Sequence, residues 1–359
     1  MKYLLTPGPV PVPEFVLKAI SQPVIHHRTK AFEQFYQKFL TKLRYLFQAE
    51  SPNSRVGTMI GSGTYGVEAA IYSLFNQGES VLVIDNGKFS ERWAVFSRKL
   101  GLNTIILKKD WGESPEVREV LEQLTKHPSI AGIILTHSET STGALLDLEE
   151  IAFTVKKDFP ETLIVVDGIT SIGAIPFYFD QWQIDAAITA SQKALMNPTG
   201  TIAFALSELA LKKLRNKEDG ADSRNLANYI KSAEKFSYPF TAPVQLLYGM
   251  DAALDYICEK GLPAIWNQTH HSSMIFRKGL LTLGGKLLSK NPSDSLTAFH
   301  FPEKDNEQIR QKLIEQHQIQ LAGGQGEYKG KIMRVSHMGM ADSEIMEKVI
   351  SRIKEILSL

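Results

Sequence analysis

Three short stretches of this 359-residue chain carry side chains whose types and spacing could do chemistry. The first, "ASQKALMNPTG", sets one amine, Lys193, between the apolar runs "DAAITAS" (185–191) and "TIAFALS" (201–207). Burying an unpaired amine is costly or depresses its pKa, and a lysine able to lose its proton near neutral pH is a nucleophile toward carbonyl carbon. The second is "LIVVDG", in which Asp167 ends an apolar run. Its carboxylate then falls at the C-terminal edge of a sheet, where open α/β folds bind ligands. The third, "GSGTYG" (61–66), runs into the helical pattern "VEAAIYSLF". Small residues at a helix start let backbone N–H groups approach an anion, and the helix dipole favours it.

Each stretch alone has an ordinary structural reading. Lys193 could be exposed with its stem along apolar surface, Asp167 could cap the next helix, and "GSGTYG" could be a helix entry with no ligand. "GSGTYG" also has the G-x-G-x-x-G form of a dinucleotide fingerprint, with Asp85 following at the end of "VLVID". That reading, an NAD-dependent oxidoreductase, leaves Lys193 without a task. No Gly-Lys-Ser/Thr follows at P-loop spacing. Taken together, a phosphate cradle, a sheet-edge Asp and a sheet-edge Lys are what pyridoxal phosphate requires. The cradle holds the phosphate, Lys193 forms the Schiff base, and Asp167 keeps the pyridine nitrogen protonated.

These residues need a sheet to hold them. Strand candidates are "VLVID" (81–85), "NTIILK" (103–108), "AGIILTHS" (131–138), "TLIVVDG" (162–168) and the two runs flanking Lys193. Most are continuous apolar runs, as expected of strands buried on both faces. Helical patterns such as "SERWAVFSRKLG" and "DLEEIAFTVKKD" lie between them, giving an α/β domain with a mixed, mostly parallel sheet flanked by helices. The link between the runs at 185–191 and 201–207 is too short for a crossover helix, so that pair is expected to be antiparallel. "AFEQFYQKFLTKLRYLF" reads as a helix with Phe32, Phe35, Phe39, Leu43 and Leu46 on one stripe. The Pro-rich start (1–15) is expected to be an extended arm, 16–245 the large domain, and 246–359 a smaller α+β domain. Net charge is +1, and no basic run or aromatic-basic stripe points to nucleic acid. One cysteine, no signal-peptide pattern and no apolar run of spanning length give the expectation of a cytoplasmic protein with no membrane partner and no metal site.

Nine motifs recur in order along nearly the whole chain: "TPGP", "HHRTKAF", "GSGTYGVEAA", "SETSTGALLDL", "VVDGITSIGAIPF", "ASQKAL", "YPFTAP", "GGQG" and "MRVSHMG". With them the chain resembles the class V aminotransferases of the fold-type I pyridoxal-phosphate enzymes, serine/alanine–glyoxylate aminotransferases above all. The resemblance implies that Lys193 forms the Schiff base and shuttles the proton, and that Asp167 pairs the pyridine nitrogen. It implies that Ser62, Gly63 and Thr64 bind the phosphate with help from Gln192. Phe89 stacks on the ring, with Trp93 as an alternative. Thr140 bonds the phenolic oxygen and Ile169 packs on the other ring face. Tyr238 and Thr241 reach the phosphate of a partner subunit's cofactor, which implies a homodimer with a shared site. Arg334 binds the substrate α-carboxylate, as its bidentate fork suits.

The implied reaction is ping-pong transfer of an amino group from a small amino acid such as serine or alanine to a 2-oxo acid such as glyoxylate or pyruvate. His27 and Arg28, in "HHRT", fall near the substrate side-chain pocket in that family. A cation there could read a negative side chain, so phosphoserine with 2-oxoglutarate is an alternative. His26 can equally be a solvated or capping residue, and His337 a helper or a surface residue. A cysteine desulfurase of the same fold needs a loop cysteine, whereas Cys258 falls in the helical pattern "ALDYICEKG", where inert packing is expected.

Overall fold

The computed structural model describes residues 2–215 and 222–357. Seven strands form the main sheet: β1 (Arg55–Gly61), β2 (Ser80–Asp85), β3 (Asn103–Lys108), β4 (Ile130–Thr136), β5 (Leu163–Asp167), β6 (Ala186–Ala190) and β7 (Gly200–Leu206). Their spatial order is β1-β7-β6-β5-β4-β2-β3. Only β7 is reversed, pairing antiparallel with both β1 and β6, so the other six strands end on one edge. The antiparallel pair around Lys193 is therefore present as the short link requires. The apolar runs are buried on both faces, from Val81–Ile84 through Leu163–Val166 to Ile202–Leu206, because helices cover each side.

Three helices matter for what the edge carries. Helix α1 (Lys30–Phe47) starts at Thr29, whose hydroxyl accepts from the Phe32 N–H, and ends at Gln48 in the left-handed region. It buries Phe32, Tyr36, Phe39, Leu43 and Leu46; Tyr36 takes the inner position expected for Phe35, which is only half-buried. Helix α2 (Gly63–Leu74) grows directly from β1, a strand not anticipated from the sequence. Its run "RVGTMIG" lacks the long apolar stretch of its neighbours. Helix α3 (Lys88–Lys99) follows β2.

Helix α4 (Val244–Lys260) stops at Gly261, and α5 (Leu262–Thr282) begins there. Side chains as far as Trp266 belong to the first hydrophobic core. A second core starts at Phe276 and is capped by a four-stranded sheet that includes Leu296–His300, Ala322–Gly323 and Met333–Ser336. The N-terminal arm crosses between the two. Tyr3–Leu4 pairs with Ile319–Gln320, Leu5 lies in the second core, and the Val10 N–H donates to the Gln192 carbonyl at 3.1 Å. No described helix is long and apolar enough to cross a membrane.

Candidate active site

The C-terminal edge of the sheet gathers the residues singled out above. Ser62, Gly63, Thr64, Phe89, Trp93, Thr140, Asp167, Ile169, Gln192 and Lys193 line one cavity. A larger surface groove of about 540 Å³ beside Leu40, Arg44, Arg55 and Ile230 holds no nucleophile, so chemistry rather than size selects the Lys193 cavity.

Lys193 sits in the turn that links β6 to β7 and is 9% exposed. Its Nζ donates to the Pro7 carbonyl of the arm. Burial pushes its pKa down to about 8, Asp167 working against that shift and Arg334 with it. An amine so placed loses its proton close to neutral pH, as a carbonyl nucleophile must. Gly8 makes this possible. Its φ is +119°, and a Cβ there would collide with Nζ, Cε and Cδ of Lys193.

Asp167 ends β5 and is 4% exposed. One carboxylate oxygen accepts from the Ile169 N–H at 3.0 Å, the other from the Trp93 indole N–H at 3.1 Å. Burial pushes its pKa up to about 7, and Glu139 adds to this, while the two N–H groups and Lys193 oppose it. A carboxylate held at such cost is one that a cation in the cavity would stabilise.

Opposite lies the N-terminus of α2. Ser62 is its N-cap, yet its hydroxyl caps no backbone N–H. The first-turn N–H groups of a helix have no partners inside it and favour an anion. Gly63 brings that turn close to Ile169, whose Cδ1 would lie 2.5 Å from any added Cβ. The buried Gln192 Oε1 has no hydrogen-bond partner among the described residues. A turn whose N–H groups can donate to a phosphate, a buried amine and a buried carboxylate in one cavity are the set pyridoxal phosphate needs, and the residues present fit it.

Thr140 shares a 3.0 Å hydrogen bond with Thr170, and its carbonyl accepts from Arg334 at 2.9 Å. Arg334 lies in the strand Met333–Ser336, 6% exposed, with its remaining bonds to the Gly323 carbonyl at 2.8 and 3.0 Å. No carboxylate pairs with it among the described residues. Burial pushes its pKa down to about 10. A buried guanidinium held only by carbonyls is a ready donor site for a carboxylate. A structural salt bridge does not account for it.

The remaining candidates stand elsewhere. Arg28 is exposed and donates to the Tyr238 carbonyl at 2.7 Å and the Pro239 carbonyl at 3.4 Å, so it clamps the "YPFT" segment. His27 stacks obliquely on His26, and burial with the neighbouring Arg28 and His26 charges lowers its pKa. Tyr238 points inward, edge-on to Tyr36 and Tyr229, its side chain buried. Thr241 is exposed. None of His27, Arg28, Tyr238 and Thr241 lines this chain's own cavity.

Two expectations are corrected, and one alternative is set aside. His337 is neither helper nor surface residue. It is fully buried in the second core, bonded to Thr297 at 2.8 Å, and burial drives its pKa to about 3. Cys258 is exposed on α4 rather than packed, partial burial raises its pKa, and it does not line the cavity. The dinucleotide reading fails on topology. That fingerprint needs the Gly-rich strand and the acidic strand as neighbours, whereas β7, β6, β5 and β4 lie between β1 and β2, and Asp85 is not in the cavity.

Trp93, offered above as an alternative to Phe89 on the ring, is wholly buried and meets Asp167 through its N–H. One buried residue escaped the sequence reading. Glu139, also buried, accepts from the N–H groups of Phe89 and Ser90 and from Ser141. The only signal for it was an acid in the middle of "SETSTG", straight after a buried strand.

Comparison with known proteins agrees with this geometry. Residues 2–345 match the family model described as aminotransferase class-V. A Synechococcus protein named soluble hydrogenase, small subunit, is 32% identical, the alignment covering 99% of this chain and 92% of the relative. The structure of a Thermus thermophilus aspartate aminotransferase of subgroup IV is 33% identical, with a TM-score of 0.91 and 99% of each chain covered. The structure of a Nostoc alanine–glyoxylate aminotransferase is 29% identical, with a TM-score of 0.92, covering 98% of this chain and 94% of that one.

Proposed function

The chain belongs to the class V aminotransferase family, and from that membership and the cavity's chemistry we propose a pyridoxal-phosphate-dependent enzyme that moves an amino group from a small amino acid to a 2-oxo acid such as glyoxylate or pyruvate, in two half-reactions. The observation that carries this reading is the pairing of a buried amine, Lys193, with a buried carboxylate, Asp167, across a cavity whose wall is the uncapped first turn of α2. When bound, the cofactor supplies an electron sink and a carrier for the amino group. Lys193 would hold it covalently, then act as the base that moves the substrate α-proton. Asp167 would face the ring nitrogen, and Ser62, Gly63, Thr64 and Gln192 would take the phosphate. Phe89 and Ile169 would contact the two ring faces, and Thr140 the phenolic oxygen. Arg334 would orient the substrate carboxylate.

We further propose a homodimer. Thr241 is exposed on a segment that Arg28 holds in place, and that segment gives nothing to its own cavity. A second reading of the donor has specific support. The Thermus relative is named for aspartate, and His27 and Arg28 form a basic pair beside that same segment. An acidic donor, aspartate or phosphoserine, is therefore the alternative to serine and alanine. The hydrogenase name does not transfer: one cysteine in the whole chain cannot supply the thiolates of an iron–sulfur or nickel–iron centre. The test is the absorbance of the cofactor-loaded protein after separate additions of L-alanine, L-serine, L-aspartate and L-phosphoserine. Bleaching of the bound-cofactor band by one of them identifies the donor class, and no response to any amino acid rejects the proposal.

A further inference from the structure

We propose that Trp93 is a positioning residue for Asp167, fixing through its indole N–H the direction in which that carboxylate points. The inference rests on the reading above, in which Asp167 faces the cofactor's ring nitrogen. Asp167 is gripped from two sides: Ile169 N–H holds one oxygen at 3.0 Å and Trp93 Nε1 holds the other at 3.1 Å. Each carboxylate oxygen can accept two bonds, so both donors together orient the group and still leave acceptor capacity for a third N–H. With Ile169 alone the carboxylate could turn about a single bond. The indole is itself immobile. It is 0% exposed, and its N–H is shared with the Thr136 hydroxyl at 3.2 Å.

What holds Trp93 in place is the start of its helix. The Glu139 carboxylate accepts from the N–H groups of Phe89 at 3.4 Å and Ser90 at 2.9 Å, in the first turn of α3. Ser141 adds a hydroxyl acceptor for the Lys88 N–H at 2.9 Å, and its own hydroxyl bonds Glu139 at 2.6 Å. An acid at a helix N-terminus is favoured by the dipole as well as by these bonds. Gly87 leaves the room, since a Cβ there would collide with Glu139. Phe89 and Trp93 are four residues apart and share one face of α3. The clamp at Glu139 thus sets both the ring-facing Phe89 and the carboxylate-facing Trp93.

The experiment compares cofactor binding by the wild type, Trp93→Phe and Asp167→Ala. Dissociation constants are measured for pyridoxal phosphate and for its carbocyclic analogue, in which the ring nitrogen is replaced by C–H. If Trp93 acts through Asp167 on the ring nitrogen, Trp93→Phe weakens pyridoxal phosphate binding by about tenfold, the scale of one lost charge-assisted hydrogen bond, and leaves the analogue nearly unchanged. Equal weakening toward both ligands, or no weakening, overturns the positioning role. Asp167→Ala keeps the two levels apart. If it too fails to discriminate between the ligands, the placement of Asp167 at the ring nitrogen is wrong; if it discriminates and Trp93→Phe does not, only the role of Trp93 is lost. Should Trp93→Phe fold poorly, a benzothienylalanine at position 93, which keeps the shape and lacks the N–H, gives the same comparison.

Discussion

Replacing Asp167 by Asn is expected to change the pH dependence of folding in a way that reports the cost of the buried carboxylate. In the cofactor-free chain Asp167 is pushed up to about 7, chiefly by burial, against an ordinary 3.8. Because the folded value lies above the unfolded one, the protonated carboxyl favours folding below about pH 4, and that contribution fades as pH rises through about 7. Between pH 5 and pH 8 the folded chain gives up a proton that the unfolded chain has already lost. At about 1.4 kcal/mol per pH unit over the two units below 7, the wild type loses about 3 kcal/mol that Asp167→Asn does not. The amide oxygen can accept from only one of the Trp93 and Ile169 N–H groups and its NH₂ then faces the other, a penalty of about 1 kcal/mol that is independent of pH and so drops out of the comparison. Lys193 titrates over the upper part of this range in the wild type and at lower pH in the variant, which lacks the Asp167 charge, and this adds to the gap in the same direction. Urea unfolding of both cofactor-free proteins at pH 5 and pH 8 measures the gap. The stability of the variant relative to wild type should rise by about 3 kcal/mol between the two. A gap that stays constant would refute the reasoning that burial holds this carboxyl uncharged until a cation arrives.

Arg334→Lys is expected to raise KM for both amino acid and oxo acid by about tenfold or more, because an ammonium cannot reproduce the planar two-point fork; steady-state kinetics showing an unchanged KM would remove Arg334 from the carboxylate role. Gly8→Ala should lower turnover at least about tenfold while the chain stays folded, since the left-handed backbone and the collision with Lys193 displace the amine; wild-type kcat would show that the arm gives way freely. Cys258→Ser should transaminate at the wild-type rate, because the thiol is exposed on α4 outside the cavity; a loss of activity would bring a cysteine-based reaction back.

Much of this site was legible because its parts stand at the ends of strongly apolar runs. Asp167 is the last residue of β5 and Lys193 the first charged residue after β6, and a run buried on both faces leaves little doubt where it stops. Glycine spacing announced the α2 turn for a similar reason, since a backbone that must approach a ligand or Ile169 has no room for Cβ. What periodicity could not convey was strand order. The same G-x-G-x-x-G suits a dinucleotide if β1 and β2 are neighbours, and only the sheet places four strands between them. Contacts between distant segments were equally hidden. Nothing local to Trp93 marks it as a donor to Asp167, 74 positions away, and nothing local to Pro7 marks it as the acceptor for Lys193, 186 positions away. His337 was ambiguous because a histidine in "RVSHMG" titrates or packs according to burial alone, and here burial decides for the core.

The central claim is that Lys193 carries the cofactor. Incubating the purified protein with pyridoxal phosphate, reducing with borohydride and mapping the modified peptide by mass spectrometry tests it most directly. One stable adduct is expected, on Lys193, and none in Lys193→Ala. An adduct spread over surface lysines, or a protein that takes up no cofactor, would contradict it.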